Sequence, residues 1–531
     1  MLNILLFSCA RVGAPNGGTR DSLAPKFLGS NIDTTRLNVS RTVKELRLDF
    51  DEYVMLKDFN KNFNVSPPIK KIKKVIPSNL ANKYVLIQWE DTLQANTTYN
   101  FNFGNAIVDN NESNPLPYFN FAFSTGDKID DLFVSGTVKD AMTLIKENQT
   151  AKDNKMVVGL YKAGENLDYK QKPDYITKVD EENYFELNFL PKGEFVIIAF
   201  DDENQNSVYD AGKEKVSFLK EKITLDSTSV RGLKLKLYPS KKVVKYKESK
   251  AINGGLLMTF EGNPETVEVK SLSEELKDFK VTHAKRSDSV NIWFDAEKSN
   301  LGGTVSKQVK LSYFTPTISD TISVSYKAVK DEFKLSNEAG NLIAPENNFV
   351  INTSLPIENL NTSSWKLESD SIAQDFTAKI SEKNPFKILV NSSFKPTKKY
   401  VLTIPKETVS SYYSSNDKSF QFQFEIDKPE NYGSFTAVIK NKPTAKFWVE
   451  LTNEKGEILY SQFTNASEVS FKNLKPATYI ARIRVDNNGN GFWDEADFAQ
   501  NIAAEDVYIF EKEINVRPLW EIKEDWELTN R

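Results

Sequence analysis

The sequence predicts an all-β protein assembled from tandem β-sandwiches. Three observations carry this expectation. Apolar and polar residues alternate in short runs closed by Gly, Pro, Asn and Asp, which is the period of strands with one buried face. Phe (35) and Tyr (20) are abundant among the 531 residues, and such side chains fit a pleated, half-buried surface. A block of turn, strand and loop also recurs at a constant offset of 284 residues, pairing Leu190 with Leu474, Phe195 with Tyr479 and Asp202 with Asp486. We read this as an internal duplication.

In chain order, residues 1–9 form an apolar run ending Leu6-Phe7-Ser8-Cys9. Residues 10–25 hold Gly13, Pro15, Gly17 and Gly18, the composition of a flexible tether. Residues 26–127 alternate at Leu46-Arg47-Leu48-Asp49-Phe50, Tyr99-Asn100-Phe101-Asn102-Phe103 and Tyr118-Phe119-Asn120-Phe121-Ala122-Phe123. One seven-stranded sandwich is expected there. Residues 131–240 form a second unit, containing Phe195-Val196-Ile197-Ile198-Ala199-Phe200 after the turn at Pro191. Residues 250–330 and 340–427 read as two further β units, and the charged stretch 241–250 reads as a boundary. Residues 431–531 repeat the second unit. In the repeated strand Tyr479-Ile480-Ala481-Arg482-Ile483-Arg484-Val485 the odd positions are apolar and two even positions are Arg.

Composition excludes several kinds of chemistry. The formal net charge is −4 and no large basic block appears, whereas phosphate binding needs clustered Lys and Arg, so nucleic acid is not an expected partner. The short run Lys70-Lys71-Ile72-Lys73-Lys74 reads as a solvated strand edge. One Cys and one His rule out a disulfide within the chain and a Cys/His zinc cluster. A nucleophilic triad would have to use His283, which lies in a strand-like run and not in a nucleophile motif. The acids Asp49, Asp51 and Glu52 sit in an alternating strand and read as a turn or edge. The chain is therefore expected to be non-enzymatic.

Leu6-Phe7-Ser8-Cys9 resembles a bacterial lipobox, with Leu three residues before the Cys and a small residue just before it. Cleavage would leave Cys9 to carry acyl chains, each buried methylene adding about 0.8 kcal/mol of membrane affinity. The run lacks a basic segment and is short for a signal, which a start assigned downstream of the true one explains. No other stretch approaches the roughly 20 apolar residues that span a bilayer, so anchoring is expected rather than insertion.

A family resemblance rests on Cys9-Ala10-Arg11-Val12-Gly13, Gly17-Gly18, Asp21, Phe50-Asp51-Glu52-Tyr53-Val54, Pro67-Pro68 and Phe103-Gly104-Asn105-Ala106-Ile107-Val108-Asp109-Asn110-Asn111-Glu112. These look like the large Ig-like lipoproteins of Bacteroidota, whose first domain is similar to the Ig-like domain of the S-layer protein SbsA. The second and last units resemble carboxypeptidase-regulatory-like, transthyretin-like sandwiches. The resemblance implies tandem Ig-like / transthyretin-like β-sandwiches on an outer-membrane lipoprotein whose partners are other outer-membrane or envelope proteins. Some surface lipoproteins of this group are accessory subunits of outer-membrane protein assembly machinery. The family carries no enzymatic signature.

One candidate metal site stands out. Asp486, Asn488, Asn490, Gly491, Asp494 and Asp497 occupy positions 1, 3, 5, 6, 9 and 12 of a loop. Calcium takes six to eight hard oxygens, and alternate positions of a tight turn converge on one point. The first copy keeps Asp202, Asn204, Asn206 and Asp210, with Ser207 in place of Gly, Lys213 at position 12 and Glu214 one residue beyond. The competing reading is a hairpin turn whose Asn, Asp and Gly tolerate left-handed backbone. If calcium binds, its role is structural.

Two further signals remain. Asp21-Ser22-Leu23, Asp91-Thr92-Leu93, Asp288-Ser289-Val290, Asp320-Thr321-Ile322 and Asp370-Ser371-Ile372 resemble the O-glycosylation triplet of Bacteroidota exported proteins. Trp293, Trp365, Trp493, Trp520 and Trp526 would suit a carbohydrate-binding surface lipoprotein where exposed, and are core residues otherwise.

Overall fold

Alternation does what the sequence asks of it: in strand after strand the apolar positions point into a core and the intervening positions point out. The computed structural model describes residues 21–144, 155–164, 168–329, 333–338 and 340–528. Cys9, Gly13, Gly17 and Gly18 lie outside them. Apart from one helical turn at Phe59–Asn62 and a 3-10 turn at Pro429–Asn431, the regular structure among the described residues is β. The chain is a tandem of Ig-like β-sandwiches, divided into two units.

The first unit comprises residues 1–139, 150–210 and 214–237. Its first sandwich sets a sheet of Phe27–Ser30, Glu45–Leu56, Asn82–Trp89 and Ile72–Ile76, joined by Ile107–Asp109, against a sheet of Asn64–Ser66, Thr98–Gly104 and Phe119–Ser124. These are eight strands where seven are expected. Ile107–Asp109, which pairs with the far end of Glu45–Leu56, is too short to display a period. Leu48, Val85 and Ile87 from one sheet meet Phe101, Phe103 and Phe123 from the other in a fully buried core. Asp109 then holds the following turn: its Oδ1 accepts the N–H groups of Asn111, Glu112 and Ser113, and its Oδ2 accepts that of Asn114.

In the second sandwich, Tyr175–Lys178, Met156–Lys162, Gly193–Asp201 and Val216–Phe218, with Ile223–Leu225, face Tyr184–Leu190, Leu132–Asp140 and Val230–Leu237.

The second unit comprises residues 238–531 with the segments 140–149 and 211–213. It holds three cores, centred on Leu256, Ile292 and Leu311, on Phe349, Ile388 and Leu402, and on Phe435, Val449 and Ile483. The stretch 241–250, expected as a boundary, instead carries the strand Lys245–Ile252, which pairs with Gly255–Glu261 at a sheet edge. Its largely exposed charges are those that guard an open edge, which is why it looked like a linker. In the last sandwich Ile458–Thr464, Phe447–Thr452, Ala477–Val485 and Val507–Ile509, with Ile514–Val516, face Glu468–Leu474, Gly433–Lys440 and Glu521–Glu527. This strand order is that of the second sandwich, element for element.

The two Arg of Ala477–Val485 have a partner that the strand pattern does not reveal. Glu450, directly opposite Arg482 on Phe447–Thr452, is fully buried. Its Oε2 accepts Arg482 Nη2 at 2.7 Å and Nε at 2.9 Å, and both of its oxygens accept Arg484 Nε at 3.1 Å. Removing one member of a buried charge cluster leaves the others uncompensated, at a cost of about 3–5 kcal/mol. Glu450→Ala should lower stability by that amount in urea unfolding. A loss below about 1 kcal/mol would mean that the cluster behaves as a solvated surface pair.

Candidate functional site

The loops that follow Gly193–Asp201 and Ala477–Val485 share one hydrogen-bond plan. In the later loop Asp486, nearly fully buried, accepts the Asn490 N–H at Oδ1 and the Gly491 N–H at Oδ2, both at 3.0 Å. Asn488 Oδ1 accepts the same Asn490 N–H at 3.1 Å, and Asn490 Oδ1 accepts the Phe492 N–H at 2.7 Å. The amide nitrogens of Asn488 and Asn490 donate to Asp494 Oδ2 at 2.5 and 2.8 Å. In the earlier loop Asp202 accepts the Asn206 and Ser207 N–H groups at 3.0 and 3.1 Å, and Asn204 Nδ2 donates to Asp210 Oδ2 at 2.5 Å.

The backbone path explains the composition. Positions 4 and 6 are left-handed in both loops, at Gly489 and Gly491 (φ 73° and 82°) and at Gln205 and Ser207 (φ 58° and 62°). Glycine adopts this conformation without steric penalty; an L side chain does so at a cost of about 1–2 kcal/mol.

A carboxylate that fixed spacing does not find closes each loop. Glu505, buried, accepts the Asn488 N–H at 3.1 Å and the Asp494 N–H at 2.9 Å. Glu214 does the same for the Glu203 and Asp210 N–H groups at 3.1 and 2.9 Å. Asp497, expected at position 12, stands apart: its carboxylate accepts the Gln500 N–H, and its backbone pairs with Ile502. Seven extra residues displace the closing Glu in the later copy, so position 12 falls on Asp497 and not on the acid that bonds the loop backbone.

The sites differ in charge. Arg286 donates to Asp494 Oδ1 at 2.7 Å and to Glu265 at 2.6 Å. Burial pushes Asp494 up, but hydrogen bonds from Asn488, Arg286 and Asn490 hold its carboxyl below the usual range. Burial pushes Glu505 up. Among the described residues no three His, Cys, Asp or Glu side chains are grouped closely enough to hold a metal ion. A cation at the later loop would therefore draw also on the side-chain oxygens of Asn488 and Asn490. Those hard oxygens suit calcium rather than a soft-ligand metal.

The other singled-out residues serve local structure. His283 ends the strand Lys280–His283, with Nε2 3.0 Å from the Ser287 carbonyl oxygen. Asp49 pairs with Arg47, and Asp51 accepts the Lys26 N–H. Trp293, Trp365 and Trp526 are core residues, whereas Trp520 is half exposed. Of the triplet hydroxyls, Ser22, Thr92, Thr321 and Ser371 are exposed. Among the described residues no helix is long and apolar enough to cross a membrane.

Residues 21–125 match the family model described as bacterial Ig-like domain. No curated protein matches the chain. Among solved structures, domains 1–6 of the surface layer protein SbsC align at 12% identity over 93% of this chain and 67% of that one, with a TM-score of 0.15. A Bacteroides ovatus mixed-linkage glucan utilization protein, SGBP-B in complex with a mixed-linkage heptasaccharide, aligns at 10% identity over 74% and 97%, with a TM-score of 0.21.

Glu214 gives the first loop a pH dependence. Burial pushes its carboxyl from 4.5 up to about 7, with the charges of Asp202 and Asp210 adding and the Asp210 and Glu203 amides opposing. The folded chain thus keeps a proton that the unfolded chain has released. The associated stability is full below about 4.5 and is lost as pH rises through about 7. Thermal melts of the full chain should show this decline, and Glu214→Gln should flatten it. An unchanged slope in the variant would show that the carboxyl titrates as a solvated group.

Proposed function

We propose that the chain is a non-enzymatic interaction protein of the bacterial cell envelope, anchored at the outer membrane by lipid on Cys9. Its sandwiches present outer faces to neighbouring envelope proteins, in the manner of an accessory subunit of an outer-membrane protein assembly complex. The observation that carries this reading is a series of sandwiches, each with its own apolar core, behind the sequence Leu6-Phe7-Ser8-Cys9. A domain that is stable through its own core leaves its outer face available for partners. Stable anchoring takes more than one acyl chain, because a single chain binds only marginally. Mass spectrometry of the N-terminal peptide from native membranes should find Cys9 acylated at the mature N-terminus, and Cys9→Ser should release the protein from the membrane fraction. An unmodified Cys9 in membrane-bound protein overturns the reading.

The same reading gives calcium a structural role at the loop of Asp486, Asn488, Asn490 and Asp494, and a weaker one at that of Asp202, Asn204, Asn206 and Asp210. Support comes from the hard oxygens at positions 1, 3, 5 and 9 in both copies. Arg286 already neutralises part of Asp494 and should weaken the later site. Binding to the folded chain alone raises stability by about 2.7 kcal/mol at one hundred times Kd. Millimolar calcium should raise the melting temperature of the full chain above its value in chelator, and Asp486→Ala should reduce the rise. Equal melting temperatures in calcium and chelator dispose of the site.

A further inference from the structure

The outward residues of the first sandwich's three-stranded sheet form an unusual surface. Asn64 lies opposite Asn102, and Asn102 lies opposite Asn120, so three asparagines make one rung across adjacent strands. The next rung is Ser66, Asn100 and Ala122. Their in-facing neighbours Phe101, Phe103, Phe121 and Phe123 are core residues, so the alternation that builds the core also aligns the amides.

This sheet face forms one wall of a cleft of about 910 Å³, within the range of small-molecule sites. Strand Tyr184–Leu190 of the second sandwich lines the cleft with Tyr184, Glu186 and Asn188. Phe185 and Leu187, between them, belong to that sandwich's core. Glu186 accepts the Tyr184 hydroxyl at 2.6 Å and the Asn188 amide at 2.9 Å. Burial deepens from Tyr118, 68% exposed, to Asn100, 8% exposed.

The amides leave hydrogen-bonding capacity over. Asn102 uses its Oδ1 on the Gly104 N–H, and Asn120 uses its Nδ2 on the Tyr118 carbonyl. A donor on Asn102 and an acceptor on Asn120 therefore remain side by side. Asn100 Oδ1 is buried and has no hydrogen-bond partner. A buried acceptor without a donor is rare and costly, and this one lies beneath the deep end of the cleft, of which Asn100 is a lining residue.

We infer that this cleft binds a neutral oligosaccharide. A sugar hydroxyl donates and accepts at once, which matches a row of amides that offer both in alternation. Adjacent strands, about 4.8 Å apart, set the amides at the spacing of groups across one sugar ring. Tyr118 and Tyr184 at the rim, 68% and 39% exposed, give aromatic faces for the apolar side of a ring. Asp180, Glu181, Glu182 and Glu186 outnumber Lys61 and Lys178 along the lining, which disfavours phosphate and polyanions. The amides stand on a sheet face and not on an open strand edge, so the surface reads hydroxyls rather than extended peptide backbone.

This inference stands beside the envelope reading and does not rest on it: binding is read in solution and anchoring at Cys9 on membranes, so each can fail alone. The test is the fluorescent full chain on an array of immobilised neutral glucans, mannans and chito-oligosaccharides, followed by titration calorimetry with a soluble hexasaccharide of the brightest class. We expect retention on at least one neutral class. Asn102→Ala and Asn120→Ala should each weaken binding about tenfold or more with an unchanged melting temperature, and Tyr184→Ala should weaken it as well. Asn100→Ala adds the floor, and if it fails to fold the three surface variants still decide the matter. No retention, retention on heparin alone, or binding that all three surface variants leave unmoved overturns the inference.

Discussion

Each sandwich depends on burying every second side chain of its strands between two sheets. Because the side-chain period of a strand is two, a slip of one residue would turn the whole apolar set to solvent. Phe101, Phe103, Phe121 and Phe123 pin the register of their sheet in this way, just as Tyr479, Ala481, Ile483 and Val485 pin theirs. Once the inner positions are committed, the outer ones are free to vary without loss of the fold. The molecule's distinctive chemistry lies on those outer positions and in the loops at strand ends.

The two outer faces that stand out use this freedom differently. In the last sandwich, Arg482 and Arg484 share the buried carboxylate of Glu450 from the neighbouring strand, whose two oxygens are both hydrogen-bonded. In the first sandwich the outer residues are uncharged, and the amides among them, only partly matched, face a cleft. A satisfied buried cluster specifies structure; a partly satisfied one leaves capacity for a ligand. The same period thus yields a structural device in one sheet and a recognition surface in another.

The duplicated loops show what survives copying. Asp202 and Asp486 make the same pair of bonds to the backbone, and a Glu closes each loop, although it lies 12 residues after Asp202 and 19 after Asp486. The inserted residues follow the tight turn, so they change the path between the acids without disturbing the turn. The later copy has glycine at both left-handed positions, and the earlier holds Gln205 and Ser207 there.

The all-β class, the repeat and the first acids of each loop were legible from the chain alone, because they are local: alternation, turn residues and a constant offset need no knowledge of what packs where. The short strand Ile107–Asp109 and the edge strand Lys245–Ile252 were not, since the one has no period to read and the other wears the charges of a linker. That Glu505 and not Asp497 bonds the loop backbone was hidden for a similar reason, as spacing along the chain does not measure distance across a loop. Glu450 opposite Arg482, Glu505 beneath Asn488, and the rung of Asn64, Asn102 and Asn120 are cross-strand or cross-loop relations. Sequence determined which face of each strand turns inward; only the tertiary structure decided which outward groups meet, because strand pairing joins residues that the chain keeps tens of positions apart.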